Sequence, residues 1–251
     1  MQPVHEFEIY RTVYSYAKIY NNMTKLFEFN HPSKIRKKGY EARKKRVKMN
    51  KNSTPDPVSV IDSLRRTKTR LSDIVVSNDF DLFCTFTFAE DRQNVDKCKS
   101  KMSVWLNNQQ KRVGEFDYVI VPEFHKDGKS IHFHALFKGY KGKLEKTKLL
   151  TPKTKQRVYN IPGYKAGFST AVKIDDIEAV GSYIKKYITK DMPQFNGKKR
   201  YWCSQGLSRP KKITNPVVFE SDRKHFTEEH QMNNMRLYTA NKKIDLTESL
   251  D

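Results

Sequence analysis

Residues 116–139, FDYVIVPEFHKDGKSIHFHALFKG, allow few folds. Two runs alternate apolar and polar residues with the period of a β-strand, and Asp127-Gly128 between them is a strong hairpin signal. With Asp127 and Gly128 at the centre of the turn, Glu123 falls opposite His132 and Val121 opposite His134. Directly opposed side chains share a sheet face with Cβ atoms about 5 Å apart, and residues two apart on one strand share that face too. Glu123, His132 and His134 therefore converge on one patch. Ile131, Phe133, Ala135 and Phe137 point the other way, toward a core.

Two imidazoles and one carboxylate, with positions left open for water or substrate, suit Mg²⁺, Mn²⁺ or a transition ion in a catalytic site. Paired histidines on a strand are more often structural or merely exposed. Here the opposing Glu123, the inward-facing apolar neighbours and the charge of the chain favour the metal. His125 and Asp127 lie nearer the turn, as supports for the ligands or as bystanders; His5, His31, His225 and His230 show no ligand spacing.

The formal net charge is +21, which favours polyanions, and nucleic acid is the commonest of these in the cytosol. Thirteen Tyr and fifteen Phe offer rings on which unpaired bases can stack. The basic tract Lys34–Lys51 places Lys37, Lys38, Arg43, Lys44, Lys45 and Arg46 to contact phosphates, adding affinity without sequence choice. No apolar run approaches the roughly 20 residues that span a bilayer, and the first 30 residues carry no signal-peptide core. A cytoplasmic protein without a membrane partner is expected. Cys84, Cys98 and Cys203 form no C-x-x-C pair, and the phosphate loop of ATP-driven motors is absent.

Around the hairpin, the spacing of Val60, Ile61, Leu64, Leu71, Ile74 and Val75 predicts an amphipathic helix after Pro57 that closes at Asn78. A strand is expected over DLFCTFTFAED, ending near Ala89, and a helix over 93–112 burying Val95, Cys98, Met102 and Leu106. Residues 140–165 read as an exposed excursion and 166–174 as a strand. A last helix starts at Asp175 and Asp176 and ends before Pro193, with Ile177, Val180, Gly181, Ile184 and Ile188 as its buried stripe. On it, Tyr183 and Tyr187 form an i,i+4 pair with Lys186 and Lys190 nearby. A phenol with a pKa near 10 is a poor nucleophile until a cation lowers the cost of its phenolate. Residues 1–30 show no strong period, and those after Tyr201 give no clear assignment.

Three stretches together resemble the HUH (His-hydrophobe-His) endonucleases, and within them the phage-type rolling-circle replication initiators. FCTFTF (83–88) resembles the family's first motif, PEFHKDGKSIHFHALF (122–137) the second, and YIKKYITKD (183–191) the third in its two-tyrosine form. The resemblance implies an α+β fold, a central antiparallel sheet with helices packed on one face and the metal on the other. It implies His132 and His134 as metal ligands with Glu123 as the third, Mg²⁺ or Mn²⁺ as cofactor, and Tyr183 and Tyr187 as nucleophiles assisted by Lys186 or Lys190. The implied substrate is single-stranded or extruded origin DNA, nicked to a 5′-phosphotyrosyl link and a free 3′-OH and later rejoined. A host helicase and polymerase are the implied partners. The expected domains are a basic arm over 1–56, the endonuclease over 57–210 and an extension over 211–251. In YWCSQGLSRPKK (201–212), Tyr201, Trp202 and Lys211 are candidate DNA contacts. A relaxase or transposase of the same superfamily shares these features. A non-catalytic DNA-binding regulator would instead bind without metal and form no covalent adduct.

Overall fold

The chain begins with an antiparallel pair, β1 (Tyr10–Ile19) and β2 (Thr24–Arg36), in a computed structural model that describes residues 10–36, 57–195, 199–232 and 234–249. Lys37, Lys38, Arg43, Lys44, Lys45 and Arg46 lie outside the described residues. Helix α1 (Pro57–Ser77) buries Leu71, Ile74 and Val75, and proline at its first position costs no hydrogen bond there. Asn78 stops it, its side-chain amide donating to the Ile74 carbonyl at 2.7 Å.

After β3 (Leu82–Thr87) comes α2 (Val95–Val113). The Asn94 side chain accepts from the Asp96 and Lys97 amides, satisfying donors that a helix start leaves unpaired. The hairpin follows as β4 (Asp117–Phe124) and β5 (Ile131–Lys138). β6 (Glu145–Leu150) and β7 (Arg157–Asn160) occupy the stretch expected as an exposed excursion. β6 is lysine-rich and exposed along nearly its whole length, so no burial pattern marks it in the sequence. β8 (Ser169–Lys173), α3 (Ile177–Ile184) and the short β9 (Trp202–Cys203) complete this part.

These strands form one antiparallel sheet in the order β6-β7-β8-β3-β5-β4-β9. One face, with Cys84, Phe86, Phe133, Ala135 and Phe137, packs on Cys98, Met102 and Leu106 of α2. The other, with Val119, Val121 and Leu136, packs on Leu71, Ile74 and Val75 of α1 and Ile184 of α3. The class is the expected α+β with a central antiparallel sheet and helices packed on it. Helices are not confined to one face, however: the strands bury apolar residues on both sides, and the Glu123–His132–His134 face is shared with α1 and α3.

Contacts divide the chain into two units, Asp56–Ser208 and a second one joining Met1–Pro55 with Arg209–Asp251. The second adds β10 (Lys211–Thr214), β11 (Pro216–Val217), a short helix α4 (Glu220–Arg223), β12 (Thr227–Met232), β13 (Met235–Ala240) and β14 (Thr247–Glu248). Its five-stranded sheet runs β10-β1-β2-β13-β12, so both termini share one sheet. Ala17, Ile19, Leu26, Ile213, Tyr238 and Ala240 form its core. Asn215 ties the two segments: its side-chain oxygen accepts from the Tyr14 amide at 2.9 Å, its amide donates to the Thr12 carbonyl at 2.9 Å, and its φ is +47°. Asn215→Ala loses these bonds and puts alanine in a left-handed conformation. It is expected to destabilise this unit by about 2–4 kcal/mol, read as a lower denaturant midpoint. Among the described residues no helix is long and apolar enough to cross a membrane.

Candidate functional site

The β4–β5 register pairs Glu123 with His132 and Val121 with His134, as the alternation requires. The link is longer than a two-residue turn: it spans residues 125–130 and is closed by the His125 amide on the Ser130 carbonyl. It stays centred on Asp127 and Gly128, which is why the register is kept. Gly128 has φ +68°, and the Asp127 carboxylate accepts from the Lys129 and Ser130 amides and the Ser130 hydroxyl. These bonds hold its carboxyl well below the usual carboxylate range.

Oε2 of Glu123 lies 2.7 Å from Nε2 of both His132 and His134, and one donor atom from each of the three residues falls within 4.8 Å of the others. Burial raises the Glu123 carboxyl pKa, but hydrogen bonds from His134 and His132 outweigh it and the net shift is downward. Burial pushes the His134 imidazole down, against the pull of Glu123. An ionised carboxylate and a neutral imidazole are the forms that hold a cation. For Nε2 of His134 to offer its lone pair, the proton has to sit on Nδ1, and Thr85 Oγ1 at 3.3 Å can accept it. The N, N, O donor set fits a divalent cation.

Thr85 stands opposite His134 on β3. Its hydroxyl is visible in FCTFTF, yet only the β3–β5 register reveals what it supports. Residues that orient ligands commonly cost 10–100-fold in metal affinity when removed. Thr85→Val is therefore expected to weaken Mn²⁺ binding by about 10–100-fold in a calorimetric titration.

Against this group stand the two tyrosines. The Asp176 side chain caps α3 by accepting from the Glu178 and Ala179 amides. The helix ends at Ile184, earlier than expected; Lys185–Tyr187 form one 3-10 turn and Ile188 is extended. Burying Ile184, Tyr187 and Ile188 together on the sheet favours this tighter winding. The tyrosines consequently differ. Tyr187 is 5% exposed, and its ring stacks on His134 with centroids 3.8 Å apart and planes 12° from parallel. Tyr183 is 46% exposed and meets Tyr187 edge to face at 5.5 Å.

Lys186 Nζ sits 3.5 Å from the Tyr183 ring centre and 4.7 Å from that of Tyr187. For Tyr183, burial favours the neutral phenol, but hydrogen bonds with Lys186 and Tyr187 outweigh it and lower the pKa. Tyr187 is pushed far up by burial, then by Tyr183 and Glu123. Lys190, past the turn, is exposed and contacts neither ring among the described residues.

Tyr201 and Trp202 are half-buried. Trp202 packs edge-on to Tyr118 at 5.2 Å, with Lys99 Nζ 5.4 Å from its ring, and Tyr201 packs on the α1–α3 side. Lys211 is exposed on β10 of the other unit.

Residues 81–192 match the family model for replication-associated proteins of the ORF2 type. That span contains Thr85, Glu123, His132, His134 and both tyrosines. No curated protein and no solved structure matches the chain.

Proposed function

We propose that this chain is a replication initiator that nicks single-stranded origin DNA, with Tyr183 as the first nucleophile. One observation carries the reading: an exposed phenol paired with an ammonium group stands one ring away from a His-His-Glu group, inside the span matched by a replication-associated family.

Glu123, His132 and His134 would hold Mg²⁺ or Mn²⁺, which when bound supplies Lewis-acid polarisation of a phosphate oxygen. Lys186 stabilises the Tyr183 phenolate, and its ammonium stays at the phosphate as charge builds there. Tyr183 Oη bonds to phosphorus, the P–O3′ bond breaks, and the leaving 3′-oxygen takes a proton from Lys186 or water. The products are a 5′-phosphotyrosyl link and a free 3′-OH that primes synthesis. Tyr187, fixed on His134, is kept for a second cut; the released 3′-OH then attacks the first link and joins the strand. The ester bond is conserved in the protein link, so joining needs no ATP. A host helicase and polymerase supply unwinding and synthesis in the cytoplasm, and the basic tract Lys34–Lys51 holds phosphates without choosing sequence.

Covalent capture tests this reading. Protein is mixed with single-stranded DNA of its own replicon and Mn²⁺, Mg²⁺ or EDTA, and resolved on a denaturing gel. An adduct that requires metal is expected. Tight, metal-independent binding with no adduct on either strand would make the chain a DNA-binding regulator.

A further inference from the structure

A cleft of about 490 Å³ opens beside the Glu123–His132–His134 group, lined by Thr87, Arg92, His125, His132 and Phe168 among others. That volume is within the roughly 300–1,000 Å³ of sites that hold small organic ligands. On its rim Phe168 is 85% exposed, an unusual position for a large apolar ring, yet its backbone is firmly held. The Phe168 amide donates to Thr87 Oγ1 at 2.9 Å, and its carbonyl accepts from the Thr87 amide at 2.9 Å. Next to it, a Cβ on Gly167 would come within 2.3 Å of the Thr87 carbonyl oxygen, so only glycine lets the segment approach β3 this closely. The ring is thus presented to solvent by a fixed backbone.

The charges of the cleft select its occupant. Arg92 is exposed and forms no ion pair among the described residues. The one acid in the lining, Asp127, is already taken by the Lys129 and Ser130 amides and the Ser130 hydroxyl. A flat apolar ring beside a free guanidinium suits a nucleobase and its phosphate. We infer that this cleft takes the base of one unpaired nucleotide near the cleavage point, with Phe168 stacked on the base and Arg92 at the phosphate. The inference rests on the reading that a single strand crosses the His-His-Glu group.

The test measures binding in EDTA, where no cutting intervenes. A short fluorescent oligothymidine is compared with an abasic strand of equal length, for wild type, Phe168→Ala, Phe168→Trp and Arg92→Ala. Phe168→Ala is expected to weaken oligothymidine binding about 5- to 100-fold and leave the abasic strand unchanged. Phe168→Trp should keep the base preference. Arg92→Ala should weaken both strands alike and reduce the salt dependence by about one ion. If Phe168→Ala binds oligothymidine like wild type, or weakens both strands equally, no base stacks there and the inference is overturned. Adduct capture is scored separately. A base preference lost in Phe168→Ala, with no adduct from any variant, would overturn the nicking reading and keep the subsite. A normal wild-type adduct with a silent Phe168→Ala would do the reverse.

Discussion

Tyr183→Phe is expected to reduce covalent adduct formation at least about 10³-fold, because losing a nucleophile removes the step itself. Tyr187→Phe should leave the first cut within about tenfold: the ring that stacks on His134 remains, and only its hydroxyl is lost. The asymmetry comes from position. Tyr183 is open to a strand and has Lys186 on its ring, whereas Tyr187 is buried and its phenol is held in the neutral form. The pH dependence follows from the same pair. Attack needs the phenolate, so the rate rises with pH until Tyr183 is deprotonated. Lys186 lowers that point, placing the plateau below the ordinary phenol range near 10. Lys186→Met removes the cation, so the rise moves to higher pH; the defect is largest near neutrality and shrinks in alkali. Single-turnover adduct yield, followed on denaturing gels across pH, measures both effects. A Tyr187→Phe protein without adduct beside an active Tyr183→Phe protein would reverse the assignment.

The hairpin was legible because two local signals agree. Alternation assigns the faces, and Asp127-Gly128 centres the link, so Glu123 meets His132 without reference to the rest of the chain. The second unit was not legible for the opposite reason. β1 pairs with β10 and takes hydrogen bonds from Asn215, about two hundred positions away, and its register shifts between Val13 and Ser15, which breaks the alternation. β6 is exposed along most of its length and leaves no apolar period to read. The tyrosine pair was legible as spacing but not as geometry. An unbroken helix would have given the two rings similar settings, while the 3-10 turn buries one and leaves the other open. Phe168 carries no signal of its own in AGFSTAVKI; its exposure is set by how closely Gly167 approaches β3.

Glu123→Gln is expected to weaken Mn²⁺ binding more than about 100-fold, since even residues that only orient ligands cost about 10–100-fold. It should lower the adduct in proportion. This substitution separates chemistry from packing: the side chain keeps its length, while the anion that both imidazoles approach is removed. His134→Ala is a less clean test. It also deletes the ring stacked between Phe83 and Tyr187, so α3 and the turn after it lose support along with the metal. His132→Ala leaves that stack in place and should lose the metal with a smaller drop in stability. Wild-type protein stripped with EDTA should recover its adduct when Mn²⁺ returns, and Glu123→Gln should not recover at concentrations that saturate wild type. A Glu123→Gln protein that titrates Mn²⁺ like wild type would mean the three side chains bind only one another. Tyr183 would then have Lys186 as its sole nearby cation, and the Tyr187 ring on His134 would be a packing contact with no role in cleavage.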